Sequence, residues 1–467
     1  MTRYRPFMFR DTRSCTAAAA IAAALLAVFS PFLAAGPVPA PLDLDPAFAG
    51  DGTVIADIGQ VDYGFAGLIE ADGDVVVFGY SETGGPSNGE AIFHRIEADG
   101  TPGTLARFDA SAFGCSVPRS FRAGIRLSNG DYVGGGYVQE GCSGLPRYFN
   151  AIQVTSSGML VGEYDRIPFA DQLAYISAMA EQSDGSVVAV GFASTSGFDA
   201  ASYDIAAARF TPFGDLDPTF GTGGMFTLNV DGDQDSANDV VIDDQDRILI
   251  AGRSRSAGGD SHAIALRLTP DGALDASFDG DGLAMLDDGG LGSGATSIDI
   301  VPNARILVGG GRARPGGGQD PVIWALDGFG SPDPLFGDGG IATLDFSHSY
   351  SAVSDIRYAA WRIYATGSGR PIGGEFADND AAVSVLRLNG TPNPLFNGGA
   401  SRTFEFDPAA GVRGDFPQSI DVTEDGEQIA IIGFSSDNDQ AAPRIAVARV
   451  VGLENALFID GFEGGTR

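Results

Sequence analysis

The sequence predicts an all-β protein made of repeated four-stranded units. A short motif ending in Phe returns at a period of about 58 residues. An apolar run ending in Gly returns at nearly the same period, and no segment keeps the 3.6-residue hydrophobic period of a helix. Because repeats of this kind bury their apolar faces against their neighbours, the recurrence indicates one array rather than several unrelated domains.

The Phe motif has Asp or Asn three residues before its Phe, usually followed by Pro, and its clear copies end at Phe48, Phe220, Phe278, Phe336 and Phe396. The gap between the first two copies is close to three periods, which places degenerate copies near Phe108 and Phe169. The apolar runs end at Gly79, Gly136, Gly191, Gly252, Gly310, Gly367 and Gly433. We therefore predict seven repeats, at about 43–104, 105–163, 164–215, 216–273, 274–331, 332–391 and 392–453.

Within the clearest repeat, β-branched residues and alternation predict strands at 226–230, 238–242, 247–251 and 263–268. Two-residue turns such as Asp184-Gly185 and Asp425-Gly426 indicate hairpins. Four-stranded units arranged radially are typical of a β-propeller, so we predict a seven-bladed β-propeller of four-stranded antiparallel blades over residues 41–453. A linear β-solenoid is the alternative. Closure of the ring predicts that residues 52–58 lie beside the blade of residues 403–450.

Residues 1–40 are predicted to be an export signal and a short linker. A basic segment with Arg3, Arg5, Arg10 and Arg13 precedes the apolar run 17–35, and small residues then allow cleavage after Ala35 or Ala40. An uncleaved anchor is the alternative, since the run approaches the length of a membrane span. No later stretch is apolar enough to span a membrane, so none is expected after signal removal.

Export also predicts a disulfide. Cys115 and Cys142 are the only cysteines of the mature chain, and they flank the hairpin at Asn129-Gly130. Strands paired across that turn bring the two residues near each other. An oxidising compartment then favours a bond, which would brace a repeat whose Gly134-Gly135-Gly136 run is weak strand material.

The charge balance limits the partners. The formal net charge is −33, and every basic residue is an arginine. A field of this sign repels nucleic acid and anionic lipid and keeps the surface soluble. We therefore expect a protein or a glycan as partner, no nucleic acid, and a monomeric chain.

The pattern Leu216-Asp217-Pro218-x-Phe220-Gly221-x-Gly223-Gly224, followed by a hairpin to Gly252 and by Pro270-Asp271-Gly272, resembles the delta-60 repeat family of secreted bacterial β-propellers. The resemblance covers roughly residues 43–450. It implies a propeller and an extracytoplasmic location, either secreted, periplasmic or at the cell surface, and it implies no reaction. Residues 454–467 resemble a short C-terminal tail of exported Gram-negative proteins; a last edge strand is the alternative.

Candidate chemistry is sparse, and no catalytic residue is predicted. His94 is expected to be buried and structural, and His262 and His348 to face solvent. Asp231, Asp233 and Asp235 begin like a calcium loop but lack its turn glycine and closing glutamate, so the one cofactor considered is a weakly held Ca²⁺.

Two sets of residues, one of recurring arginines and one of aromatic side chains, have two interpretations each. The first set is an arginine that recurs on the fourth strand of the repeat. It forms either a structural ion pair in each repeat or a ring of ligand contacts, and its members are Arg95, Arg209, Arg267, Arg387 and Arg449. Core packing, or else an aromatic platform for a sugar, is predicted for Trp324, Trp361, Tyr350 and Tyr364.

These observations favour an exported or surface-associated, non-catalytic binding or scaffold module that acts through its rim loops. The alternative is a propeller enzyme, a hydrolase, lyase or dehydrogenase, with its site at the central channel. A Ca²⁺-dependent surface structural protein is a third hypothesis.

Overall fold

The computed structural model of the chain describes residues 40–82, 89–109, 119–139, 146–169, 173–194, 202–230, 232–256, 258–259, 261–286, 290–346, 350–370, 379–407, 414–436 and 443–452. The predicted export signal, the C-terminal tail, the predicted pair Cys115 and Cys142, His348 and Asp231 lie outside these ranges, so those predictions stay untested. Within the ranges, no helix has the length and hydrophobicity needed to cross a bilayer.

The described residues form strands joined by short turns, and they are numbered here in chain order. The first half contains β1 (Thr53–Ala56), β2 (Val61–Ile69), β3 (Val75–Glu82), β4 (Gly89–Ile96), β5 (Pro102–Phe108), β6 (Arg119–Arg126), β7 (Tyr132–Gln139), β8 (Arg147–Val154), β9 (Leu160–Glu163), β10 (Ala174–Glu181), β11 (Val187–Ala193), β12 (Asp204–Phe210) and β13 (Met225–Leu228). The second half contains β14 (Gly232–Ile242), β15 (Ile248–Ser256), β16 (Ser261–Leu268), β17 (Leu283–Met285), β18 (Ser293–Val301), β19 (Arg305–Ala313), β20 (Gln319–Leu326), β21 (Ile341–Thr343), β22 (Tyr350–Ala359), β23 (Arg362–Arg370), β24 (Asp380–Leu386), a 3-10 helix (Asn397–Gly399), β25 (Arg402–Phe404), β26 (Gly414–Val422), β27 (Gln428–Ser436) and β28 (Arg444–Val451).

The strands confirm an all-β propeller with four-stranded antiparallel blades, but the predicted count of seven separate blades is wrong. Five blades stand as separate four-stranded sheets: β2–β5, β6–β9, β10–β13, β14–β17, and β26–β28 with β1. The strands β18–β25 form one eight-stranded sheet, because Gln319 of β20 pairs in parallel with Tyr350 of β22. Hydrogen bonding thus crosses a boundary that the sequence period treats as a gap between repeats. Each half of this sheet keeps the antiparallel strand order of a four-stranded blade.

The blades are offset from the sequence repeats by one strand. The segment predicted at 226–230 appears as β13, which pairs with β12 of the preceding blade rather than with β14. The same offset closes the ring: β1 from the start of the array pairs with β28 from its end, with Thr53 opposite Ala448. The prediction that residues 52–58 lie beside the last blade is therefore confirmed.

The apolar core lies between adjacent blades. Val188 and Val190 of β11 pack in one buried cluster with Ile248 and Ile250 of β15, which belongs to the next blade. Because each blade buries residues on both faces against its neighbours, the middle strands are apolar at nearly every position, as expected for sheets covered on both sides.

One strand in each unit faces the centre of the ring; these inner strands are β2, β6, β10, β14, β18, β22 and β26. Every inner strand carries a β-bulge, and it falls directly after the residue paired with the glycine that ends the apolar run. Gly191, for example, pairs with Ile176, and Ser177 is the extra residue that follows. A Cβ on Gly191 would collide with the carbonyl oxygen of Tyr175. The recurring glycine therefore makes room for the bulge, which turns one side chain of each inner strand toward the centre.

We expect Gly191→Ala to lower the free energy of unfolding by about 1–3 kcal/mol, because the new methyl group has to displace backbone. Gly162→Ala is the matched control: Gly162 lies on the edge strand β9, and nothing lies within 4 Å of the position a Cβ would take. Thermal and chemical denaturation of both variants measure the effect. Equal stability for the two variants would contradict the proposed reason for the repeated glycine.

Candidate functional site: the central channel

The inner strands enclose a central channel with two adjoining cavities. A mouth cavity of about 590 Å³ lies toward the beginnings of the inner strands, and a deep cavity of about 340 Å³ adjoins it. Both are lined by the bulged side chains Phe65, Arg122, Ser177, Asn238, Thr296, Ser354 and Gln418. The bulges thus build the site, because each inner strand presents one bulged side chain to it.

Aromatic side chains form an arc at one side of the mouth cavity, and of these Phe65, Tyr175 and Phe192 line the cavity itself. The rings of the arc stack or meet edge to face in two runs. The first run is Phe416–Phe434 (5.0 Å between centroids), Phe434–Tyr63 (4.9 Å) and Tyr63–Phe65 (5.4 Å). The second run is Tyr137–Tyr175 (4.7 Å), Tyr175–Phe192 (5.0 Å) and Phe192–Tyr203 (4.7 Å).

Two arginines lie on this arc. The guanidinium carbon of Arg122 lies 4.1 Å from the ring centre of Phe65, and that of Arg147 lies 4.7 Å from Tyr137 and 5.2 Å from Tyr175. These are cation–π distances. Burial lowers the pKa of Arg122, and the neighbouring charge of Arg147 adds to this effect. The two cations therefore repel each other across the ring of Tyr137.

The opposite side of the mouth cavity carries neutral polar side chains. Asn238 donates its amide to the carbonyl of Ala295 at 2.6 Å, which leaves its amide oxygen available. Thr296 donates to the carbonyl of Val353 at 2.8 Å, and its oxygen keeps acceptor capacity. Together with the arc, this wall gives the mouth one apolar side and one side that both donates and accepts hydrogen bonds.

Four aspartates connect neighbouring inner strands deeper in the channel. Each accepts a backbone N–H from the next inner strand: Asp239 from Ile298 (2.8 Å), Asp299 from Tyr358 (2.6 Å), Asp355 from Ile420 (2.9 Å) and Asp421 from Ile69 (2.9 Å). Inner strands of different units are not paired with each other, so the carboxylates satisfy N–H groups that would otherwise stay unbonded. The primary role of these groups is structural.

One arginine serves this group of carboxylates. Arg357 contacts Asp421 through its Nε at 3.2 Å. Burial alone would lower the pKa of Arg357, but the carboxylates, led by Asp421, outweigh it and raise the pKa. A single positive charge among four carboxylates favours neutralisation of at least one of them by a proton.

Ser297 lies between two of these carboxylates. Its Oγ is 3.0 Å from Oδ2 of Asp239 and 2.7 Å from Oδ1 of Asp355. The hydroxyl has one hydrogen and can donate to one carboxylate only, so both contacts are hydrogen bonds when one of the two carboxyls carries a proton. Consistently, burial and then the nearby Asp355 raise the pKa of Asp239 to about 7.

The repeated arginines link neighbouring units through ion pairs and hydrogen bonds, and we call these links clasps. Arg209, Arg267 and Arg449 each bond an aspartate of the Phe motif at 2.8 Å and stack on its Phe ring. Each also donates to a turn carbonyl of the next unit: Pro270, Gly328 and Ala98. Arg95 bonds Asp74 at 2.7 Å, outside the Phe motif. The structural interpretation is confirmed for these residues, and no side-chain partner of Arg387 is found among the described residues.

The other predicted residues are dispersed. His94 is buried, as predicted, with its Nδ1 3.1 Å from the carbonyl of Thr104, and burial lowers its pKa. His262 is half-buried rather than solvent-facing. Asp235 is buried and accepts the N–H of Val230 at 2.7 Å. Only the backbone of Asp233 is described, so calcium binding stays a prediction.

The four predicted aromatic residues do not form a platform. Trp324 and Tyr364 are buried in the core, whereas Tyr350 and Trp361 are exposed at opposite ends of β22. Core packing is therefore confirmed for the first two residues and wrong for the other two.

Residues 182–220 and 246–278 match the family described as "Domain of unknown function (DUF5122) beta-propeller". No curated protein sequence matches the chain. Solved structures with a similar fold include an ulvan lyase bound to its saccharide (11% identity, TM-score 0.46, 84% of this chain and 95% of that one). Others are Drosophila Semaphorin 1b (9%, 0.44, 88% and 88%) and an alpha-L-arabinanase of Penicillium chrysogenum (10%, 0.44, 70% and 92%). The sheets and the family match define a β-propeller repeat protein; these distant likenesses say nothing about its ligand.

Proposed function

We propose that this protein is an exported, monomeric, non-catalytic binding module that holds a saccharide at the mouth of its central channel. The observation that carries the proposal is the arc of half-buried aromatic rings facing a wall of amide and hydroxyl side chains. A sugar ring has an apolar C–H face and a rim of hydroxyl groups, so it complements both sides of this cavity.

The non-catalytic part rests on the bonds of the channel aspartates. Asp239, Asp299 and Asp355 each bond backbone N–H groups of two strands, which holds them in place as links between units. A general acid or base instead needs a free lone pair or proton directed at the substrate. Their bonding therefore supports a structural role.

We expect Phe65→Ala and Tyr175→Ala to weaken saccharide binding by about 5- to 150-fold, since loss of one stacked ring removes roughly 1–3 kcal/mol. Binding of a panel of neutral and acidic oligosaccharides to the full chain is measured by calorimetry, with circular dichroism as a check on folding. Phe213→Ala is the control, because Phe213 is 88% exposed and does not line the channel cavities. Absence of binding to every saccharide, or equal affinity for all variants, would refute the proposal.

A hydrolase or lyase with its site in the channel is the second candidate, and one observation favours it. Asp239 lines the deep cavity and has a pKa raised to about 7, which suits a general acid or base. Incubation of a bound oligosaccharide with the chain, followed by product analysis, separates the two proposals. Cleavage by the unmodified chain that is lost in Asp239→Asn would show that the protein is an enzyme and not a binding module.

A further inference from the structure

We propose that the saccharide bound at the mouth carries an anionic group, a carboxylate or a sulfate ester, and that Arg122 pairs with it. This inference rests on the proposed function above and adds the chemical class of the ligand. It starts from the charges in the mouth cavity. Among the described residues that line it, Arg122 is the one with a charge, although the whole chain has a formal net charge of −33.

Arg122 has no counter-ion of its own in the described part of the chain. The other arginines on the inner strands are paired: Arg119 with Glu163, Arg126 with Glu70 and Arg357 with Asp421. Arg126 lies four residues further along the same strand and shows that carboxylates are within reach of β6. The absence of a carboxylate at Arg122 therefore reflects its position in the mouth cavity.

The bulge fixes where this cation lies. Arg122 is the extra residue between Phe121 and Ala123, so its side chain leaves the pleat of β6 and enters the channel. Its guanidinium lies over the face of Phe65, which occupies one face of the planar group. No hydrogen bond from its N–H donors is found among the described residues, so they are open to a bidentate contact with a carboxylate or sulfate.

Arg147 strengthens the preference for an anion. It lies behind Tyr137 and Tyr175, with its Nε 3.4 Å from the amide oxygen of Gln139, and its charge acts on Arg122. Two cations at the edge of a partly desolvated cavity attract an anion more strongly than either would in bulk water. The aromatic arc then holds the sugar ring that carries the anionic group.

The test compares ligands that differ in charge alone. Calorimetry measures oligogalacturonate against its carboxyl-reduced form, and a sulfated galactan oligosaccharide against its desulfated form. We expect the acidic member of at least one pair to bind more tightly, and Arg122→Gln to reduce that affinity by roughly 10- to 100-fold while leaving the neutral member unchanged. Arg122→Lys should recover only part of the affinity, because ammonium cannot make the bidentate contact.

Arg402→Gln is the matched control, since it removes the same charge from the outer strand β25, where Arg402 pairs with Asp43. Its affinity for the acidic saccharide should equal that of the unmodified chain. Equal affinity for both members of each pair, together with no effect of Arg122→Gln, would overturn the anionic class and leave saccharide binding intact. Binding to no saccharide at all would refute the proposed function, and this inference with it.

Discussion

Replacing Arg267 with alanine should lower the free energy of unfolding by about 3–5 kcal/mol, the cost of removing one partner of a buried ion pair. Arg267 is only 1% exposed. Its guanidinium bonds Asp275 at 2.8 Å, Ser277 at 2.9 Å and the Gly328 carbonyl of the next unit at 2.6 Å. Truncation leaves the carbonyl and part of the carboxylate without a partner and opens a cavity over Phe278.

Chemical denaturation of the full chain, followed by circular dichroism, measures this loss. The stability of Arg267→Lys should lie between that of the unmodified chain and that of Arg267→Ala, because lysine keeps the charge but cannot make all three contacts. Arg255→Ala is the control on the preceding strand: Arg255 is exposed, so its loss should change stability by less than about 0.5 kcal/mol. If Arg267→Ala and Arg255→Ala were equally stable, the repeated arginines would not be clasps between units.

The stability of the chain should fall as pH rises from about 4 to 7, and Asp239→Asn should remove part of that fall. The pKa of Asp239 is about 7 in the folded protein against 3.8 as the ordinary value. A raised pKa means that the folded state binds the proton more tightly, so its contribution is complete below the ordinary pKa and is lost as pH rises through 7. The loss amounts to at most about 4.5 kcal/mol, at roughly 1.4 kcal/mol per pKa unit.

The slope of unfolding free energy against pH is the quantity to measure. Burial also raises the pKa of Asp415 to about 7, so Asp415→Asn should remove a separate share of the same slope. Asp425→Asn is the control: hydrogen bonds, led by that of Thr423, lower the pKa of this exposed turn residue, and its loss should leave the slope unchanged. An Asp239→Asn slope identical to that of the unmodified chain would contradict a raised pKa of Asp239 in the folded protein.

Sequence periodicity was sufficient to predict the blade and its closure, because both depend on features that recur. The Phe motif and the terminal glycine occur in most repeats, and they correspond to the clasp and the bulge. The count of separate sheets depends on one pairing between Gln319 and Tyr350. Neighbouring units also meet at single parallel bridges at Arg147–Leu173 and Tyr203–Gln234 without merging their sheets. A difference this local leaves no signal in the sequence period, so the predicted count was wrong.

The mouth cavity could not be predicted by the same reasoning, because its residues differ from repeat to repeat. Phe65, Arg122 and Asn238 occupy one structural position but share no chemistry. A signal was nonetheless available: each bulged residue precedes the terminal glycine of its repeat by nearly the same distance. The functional position is therefore the one that varies inside an otherwise regular repeat, whereas the repeated arginines turned out to be structural.

A crystal structure of the full chain with a bound acidic oligosaccharide tests the central claim most directly. We expect a sugar ring against the arc of Phe65, Tyr175 and Phe192, with its anionic group within hydrogen-bond distance of Arg122. A saccharide bound at the outer strands or on the opposite face of the ring, with the mouth cavity holding water only, would contradict it.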